Sequence, residues 1–196
     1  MAFFQEGTAN WRQYQVIANK NFKCGFCGEN VASDRGYKIG HHVDGSGGQI
    51  GGMYICPNCK GPNFISPQGE WFPGQLFGRV VKNVPDELNK LYEEARKCTK
   101  EKCYTGSVLL CRKMLMNIAV AQGAKEGLRF IEYVNYLAEN GFVPPNGKKW
   151  VDHIRKKGNE ATHEIALMEE NDAKDLVVFT EMLLMFIYEF PAMVAD

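Results

Sequence analysis

The spacing of apolar residues changes near residue 84, and that change divides the chain. Before it, Tyr37-Lys-Ile-Gly, Met53-Tyr-Ile and Asn63-Phe-Ile-Ser are short strand-like runs, separated by glycine-rich turns such as Gly45-Ser-Gly-Gly. Residues 1–23 are mixed, and Trp11, Tyr14, Val16 and Ile17 predict at most a short helix or strand. Residues 66–83 carry Pro67, Gly69, Pro73, Gly74 and Gly78 and read as a turn-rich connection. Its Trp71, Phe72, Leu76 and Phe77 predict packing along the domain that follows.

From Pro85 the period is helical. Pro85 suits a first helical position, and Asp86 and Glu87 suit the positive end of a helix. Leu88, Leu91, Ala95 and Cys98 then form one apolar stripe. A second helix is predicted over 104–122 with Val108, Cys111, Leu115, Ile118 and Ala119 inward, Arg112 and Lys113 on other faces, and Gly123 as its stop. A third runs over 127–140 on Leu128, Ile131, Val134 and Leu137, ended by Gly141. Pro144-Pro145-Asn146-Gly147 breaks the chain. A fourth, shorter helix carries Trp150 and Ile154, and the last takes Asn171 or Asp172 as its cap and stops at Pro191. The predicted domains are therefore 1–65, a linker at 66–83, and an all-α bundle at 84–196.

The cysteines give the first half its chemistry. Cys24-Gly-Phe-Cys27 and Cys56-Pro-Asn-Cys59 are two tight knuckles that together supply four thiolates for a tetrahedral zinc ion, one per chain. Short strands around two such knuckles predict a zinc ribbon, which is too small to hold a core without its metal. Four thiolates leave no open coordination position, so the zinc is expected to be structural. His41 and His42 lie in the intervening loop, as spare ligands or plain loop residues. Cys98, Cys103 and Cys111 fit no second knuckle and are expected to be reduced thiols on or beside helices.

Composition narrows the function less. Twenty-three basic and twenty-three acidic residues cancel, so no global field draws the chain to nucleic acid. Residues 1–83 carry eight Lys/Arg against five Asp/Glu, a mildly basic front. The start of the sequence lacks a secretory pattern, and the apolar run from Leu176 to Phe190 is interrupted by Thr180, Glu181 and Glu189. A cytoplasmic protein with no membrane partner is the expectation. One local concentration of charge stands out: Lys148, Lys149, Arg155, Lys156 and Lys157 surround Trp150, as a phosphate backbone with splayed bases would require.

The order of Val84-Pro-Asp-Glu-Leu, Tyr92-Glu-Glu-Ala-Arg-Lys-Cys, Val108-Leu-Leu-Cys-Arg-Lys-Met-Leu, the segment from Arg155 to His163, and the terminal Phe186-Ile-Tyr-Glu-Phe-Pro191 resembles the domain-of-unknown-function family DUF4145 over about residues 84–194. That family is considered similar to the HEPN superfamily, whose helical domains occur in prokaryotic and phage defence, toxin and restriction-type proteins. The resemblance implies a HEPN-like bundle that forms a homodimer. Many HEPN members are metal-independent ribonucleases, with an arginine, a polar residue and a histidine as their signature. Asn159 and His163 match its polar and basic positions, whereas Gly158 stands where the arginine belongs and Arg155 lies further away. In a cleavage reaction His163 would serve as base and Arg155 would stabilise the phosphorane charge, with Asn159 assisting. The altered signature puts a non-catalytic binding or sensor module first, acting on nucleic acid (RNA before DNA) or on a defence-system protein. A ribonuclease comes second and a protein-interaction scaffold third.

Overall fold

Alternating apolar residues, with glycines at the turns, build a five-stranded antiparallel meander: β1 (Gln15–Lys23), β2 (Asn30–Gly40), β3 (Gln49–Ile55), β4 (Pro62–Ile65) and β5 (Trp71–Phe72), in that spatial order. The computed structural model describes residues 3–4, 9–143, 150–154 and 167–194. β1 uses more residues than β2 between the pairs Val16↔Arg35 and Lys20↔Ser33, a bulge that bends the first hairpin. The N-terminal segment, expected to offer little, thus contributes a full strand.

Within this unit, Met1–Leu76, the core is small: Ile17, Phe22 and Tyr54, with Phe22 stacked on Trp71 at 4.7 Å. Tyr54 keeps its hydroxyl satisfied by donating to the Ala18 carbonyl at 2.8 Å and accepting from the Gln49 amide at 2.8 Å. Residues 66–76 belong to this unit. Trp71 pairs with Ile65 as a strand, while residues from Phe77 onward belong to the helical unit.

The second unit, Phe77–Asp196, contains α1 (Asp86–Lys100), α2 (Tyr104–Ala121), α3 (Phe130–Glu139), a short α4 (residues 150–154) and α5 (Glu170–Leu184). The first three helices end alike. After α2, Gly123 turns to φ +101°, Ala124 N–H reaches the Ala119 carbonyl at 2.9 Å and Gly123 N–H that of Val120, a Schellman closure. Gly141 plays this part after α3 and Lys102 after α1. The last helix starts earlier than predicted. Glu169 is its N-cap, and Asp172 accepts the Glu169 N–H at 3.0 Å. It also continues past Pro191, through a π turn (Met185–Glu189) into α6 (Phe190–Met193). Pro191 falls in the first turn of α6, directly after the π turn. Glu170–Met193 is long and apolar enough by composition to cross a membrane, but Leu176, Val177, Phe179, Leu183 and Leu184 are spent on the helical core.

Polar groups on the buried faces decide the detail. The inward stripe of α1 is Leu88, Tyr92, Ala95, Arg96 and Thr99. Hydrophobic spacing misses the polar members because their heads are satisfied inside the fold, Arg96 by the backbone of residues 77 and 78 and Thr99 by the Ala95 carbonyl and the Ser107 hydroxyl. The Arg96 guanidinium donates to the carbonyls of Phe77 and Gly78, both at 2.9 Å, and to Glu93 at 2.6 Å. Glu181 accepts the Arg79 N–H at 2.9 Å, and buried Glu189 accepts the Lys82 N–H at 2.8 Å and pairs with the Arg79 side chain. Residues 77–82 are thereby strapped across α1 and α5. Burial, then the Glu181 charge, push the Tyr92 hydroxyl well above its ordinary range, so it stays protonated, with the Arg79 carbonyl and the Glu181 carboxylate both at 3.1 Å as acceptors. Arg112, expected on an outer face of α2, turns inward instead and lies 4.3 Å from the centre of the Phe130 ring, with one guanidinium nitrogen buried and without a hydrogen bond.

Removing the Arg96 fork leaves two half-buried carbonyls without donors, each a loss of roughly 1–3 kcal/mol. Arg96→Met should therefore lower stability by about 2–4 kcal/mol in denaturant titrations followed by helical circular dichroism. Arg96→Lys should recover little of that loss, since an ammonium lacks the fork geometry. A loss below about 0.5 kcal/mol for Arg96→Met would contradict the clamp.

Candidate metal centre

An antiparallel meander brings alternate connections to the same end. Cys24–Cys27 forms the turn from β1 to β2, and Cys56–Cys59 the turn from β3 to β4, so both knuckles meet there. The turns have matching backbone bonds. Gly28 N–H reaches the Cys24 carbonyl and Cys24 N–H that of Glu29, both at 2.9 Å. In the second, Lys60 N–H reaches the Cys56 carbonyl at 2.9 Å and Cys56 N–H that of Gly61 at 3.0 Å. Gly28 and Lys60 both adopt positive φ to close these turns.

The four Sγ atoms lie within 4.8 Å of one another, with Cys24 to Cys59 at 3.7 Å and Cys27 to Cys56 at 3.8 Å. A tetrahedral ion with metal–sulfur bonds of about 2.3 Å requires sulfur separations of about 3.8 Å, so the cluster fits such an ion. Donors aim at the sulfurs: Phe26 N–H at Cys24 (3.4 Å), Gly61 N–H at Cys59 (3.4 Å) and the Asn58 amide at Cys27 (3.6 Å). Asn63, buried on β4, does most. Its amide nitrogen donates to Cys24 Sγ at 3.4 Å and to the Gly61 carbonyl at 3.1 Å, while its oxygen accepts Gly25 N–H at 2.9 Å. One side chain thus ties the two knuckles together, a role that its place in a strand-like run does not reveal.

Burial raises the Cys24 thiol, but the N–H groups of Cys27 and Phe26 and the Asn63 amide outweigh it and bring the thiol down to about 7. Burial pushes Cys59 up to about 12 and raises Cys56 as well. One thiolate is easy to form among these sulfurs and four are not, unless a cation shares their charge. With Cys24, Cys56 and Cys59 buried and four sulfurs to fill a tetrahedron, the site would be closed to substrate. His41 and His42 belong to the connection from β2 to β3, at the other end of the meander, and are not among the residues gathered at the cluster.

Lys148, Lys149, Arg155, Lys156, Lys157, Asn159 and His163 lie outside the described residues. Trp150 is described, and its ring packs edge-on against Phe179 at 5.3 Å. His153 on α4 meets Asp175 on α5 at 2.9 Å in a half-exposed pair. Of the remaining cysteines, Cys111 is buried in the helical core, Cys98 is half-buried and Cys103 is exposed.

A family model described as "Domain of unknown function (DUF4145)" matches residues 93–196. The chain belongs to this family. The DUF4145 match begins inside α1, so the strap, the sheet and all four clustered cysteines precede it. No curated protein and no solved structure matches the chain.

The purified protein should carry about one metal ion per chain by elemental analysis. Its removal by a strong chelator should abolish the ordered sheet unit while the helical circular dichroism largely persists. Asn63→Ala should weaken metal affinity about 10- to 100-fold in competition with a chromogenic chelator. An unchanged affinity would refute the tie between knuckles.

Proposed function

We propose that this protein is a zinc-stabilised nucleic-acid-binding or sensor module of prokaryotic or phage defence type, cytoplasmic and dimeric through a HEPN-like helical domain. The observation that carries the reading is the closed four-cysteine cluster. Thiolate ligands in a tetrahedron favour zinc, and a saturated site leaves the ion to shape a binding surface rather than to activate substrate. The basic run from Lys148 to Lys157 supplies phosphate-seeking charge in the DUF4145 half. Gly158 in place of the signature arginine favours binding over cleavage for Asn159 and His163.

Binding of a labelled single-stranded RNA, followed by anisotropy across a salt series, tests the proposal. Affinity should fall linearly with salt on logarithmic axes, by about 0.7 per phosphate contact. No binding, or binding indifferent to salt, would leave the scaffold reading in its place. RNA incubated with the protein in chelator should stay intact; cleavage that disappears in His163→Ala would establish the ribonuclease instead. Sedimentation equilibrium should find the dimer.

A further inference from the structure

We infer that the metal end of the sheet carries an aromatic platform on which an unpaired base of single-stranded nucleic acid stacks. The inference rests on the nucleic-acid-binding reading above and adds a site to it. Phe3, Phe4, Trp11 and Phe26 form one cluster: Phe3 stacks on Trp11 with ring centres 6.1 Å apart, meets Phe26 edge-on at 5.2 Å, and Phe4 lies 5.4 Å from Trp11. Phe3 and Phe26 remain 42% and 41% exposed, a poor use of large rings unless something covers them.

Both knuckles hold these rings in place. Phe26 is itself a knuckle residue, between Cys24 and Cys27, and its ring lies over Gly61 beyond the other knuckle. A Cβ on Gly61 would come within 2.8 Å of that ring. Phe3 N–H donates to the Cys59 carbonyl and the Trp11 indole N–H to the Lys60 carbonyl, both at 2.6 Å. The platform is thus built on the backbone of the metal-binding turns.

Charge selects the occupant. Arg12, next to Trp11, and Lys60, whose carbonyl holds the indole and whose ammonium donates to the Pro57 carbonyl at 2.9 Å, are exposed, and neither enters an ion pair among the described residues. Exposed rings flanked by cations suit a splayed base and its phosphates. The buried centre of a protein–protein contact is, by contrast, depleted of lysine. A duplex hides its base faces, so the strand must be single.

The test compares Trp11→Ala, Phe26→Ala and the parent in anisotropy titrations with a short labelled single-stranded RNA, its abasic counterpart and a duplex, with metal content measured on each protein. Each variant should bind the single strand about ten-fold more weakly while keeping its metal. The abasic strand should bind the parent more weakly and respond to neither substitution. Where Phe26→Ala loses metal, Trp11→Ala and Phe3→Leu, which lie off the knuckles, decide the matter. Metal-replete variants that bind like the parent, or an abasic strand bound as tightly as the intact one, would overturn the platform while the wider reading stands. A parent that binds none of the probes overturns both.

Discussion

Four thiols gathered within 4.8 Å impose the constraint on which the first unit depends. Its apolar interior is little more than Ile17, Phe22 and Tyr54, with Trp71 alongside, too small to offset the chain entropy of more than sixty ordered residues. A cation would remove the penalty for packing sulfurs together and would join two hairpin turns that the Asn63 side chain also bridges. The donors around the sulfurs serve the same end, since each N–H aimed at a thiolate stabilises charge that burial alone would reject.

The helical unit meets a comparable problem with different chemistry. Its core is ample, but a segment of irregular backbone, residues 77–82, must lie against it, and backbone outside helices and sheets brings carbonyl and amide groups that demand partners. Arg96 satisfies carbonyls, while Glu181 and Glu189 satisfy amides. Donor-rich and acceptor-only side chains are therefore divided between α1 and the last helix, each opposite the backbone group that it complements.

This division explains what was legible in the sequence. Cysteine spacing and the periods of Val108, Leu115 and Ile118 expose the cysteine cluster and α2 directly, because spacing alone determines those contacts. Arg96, Arg112 and Glu189 mislead the same reading, since a charged residue counts as surface unless its distant partner is known. Asn63 is hidden for a related reason: its value lies in touching two turns that are far apart in sequence. Pro191 is a stop signal that the π turn makes harmless. The residues that resemble a HEPN signature, from Arg155 to His163, lie outside the described part of the chain.

The meander places its two knuckles at one end, and that arrangement also assigns a role to the other end. The turn between β2 and β3, with Gly45 and Gly47 at positive φ, Val43 fully exposed and the Asp44 side chain capping Ser46, contributes nothing to the sulfur cluster. Lengthening such a loop costs only closure entropy, about 0.6 kcal/mol for each doubling. The sheet therefore offers a place where extra sequence can be accepted, by evolution or by a fluorescent insertion, without disturbing the end that carries the four cysteines.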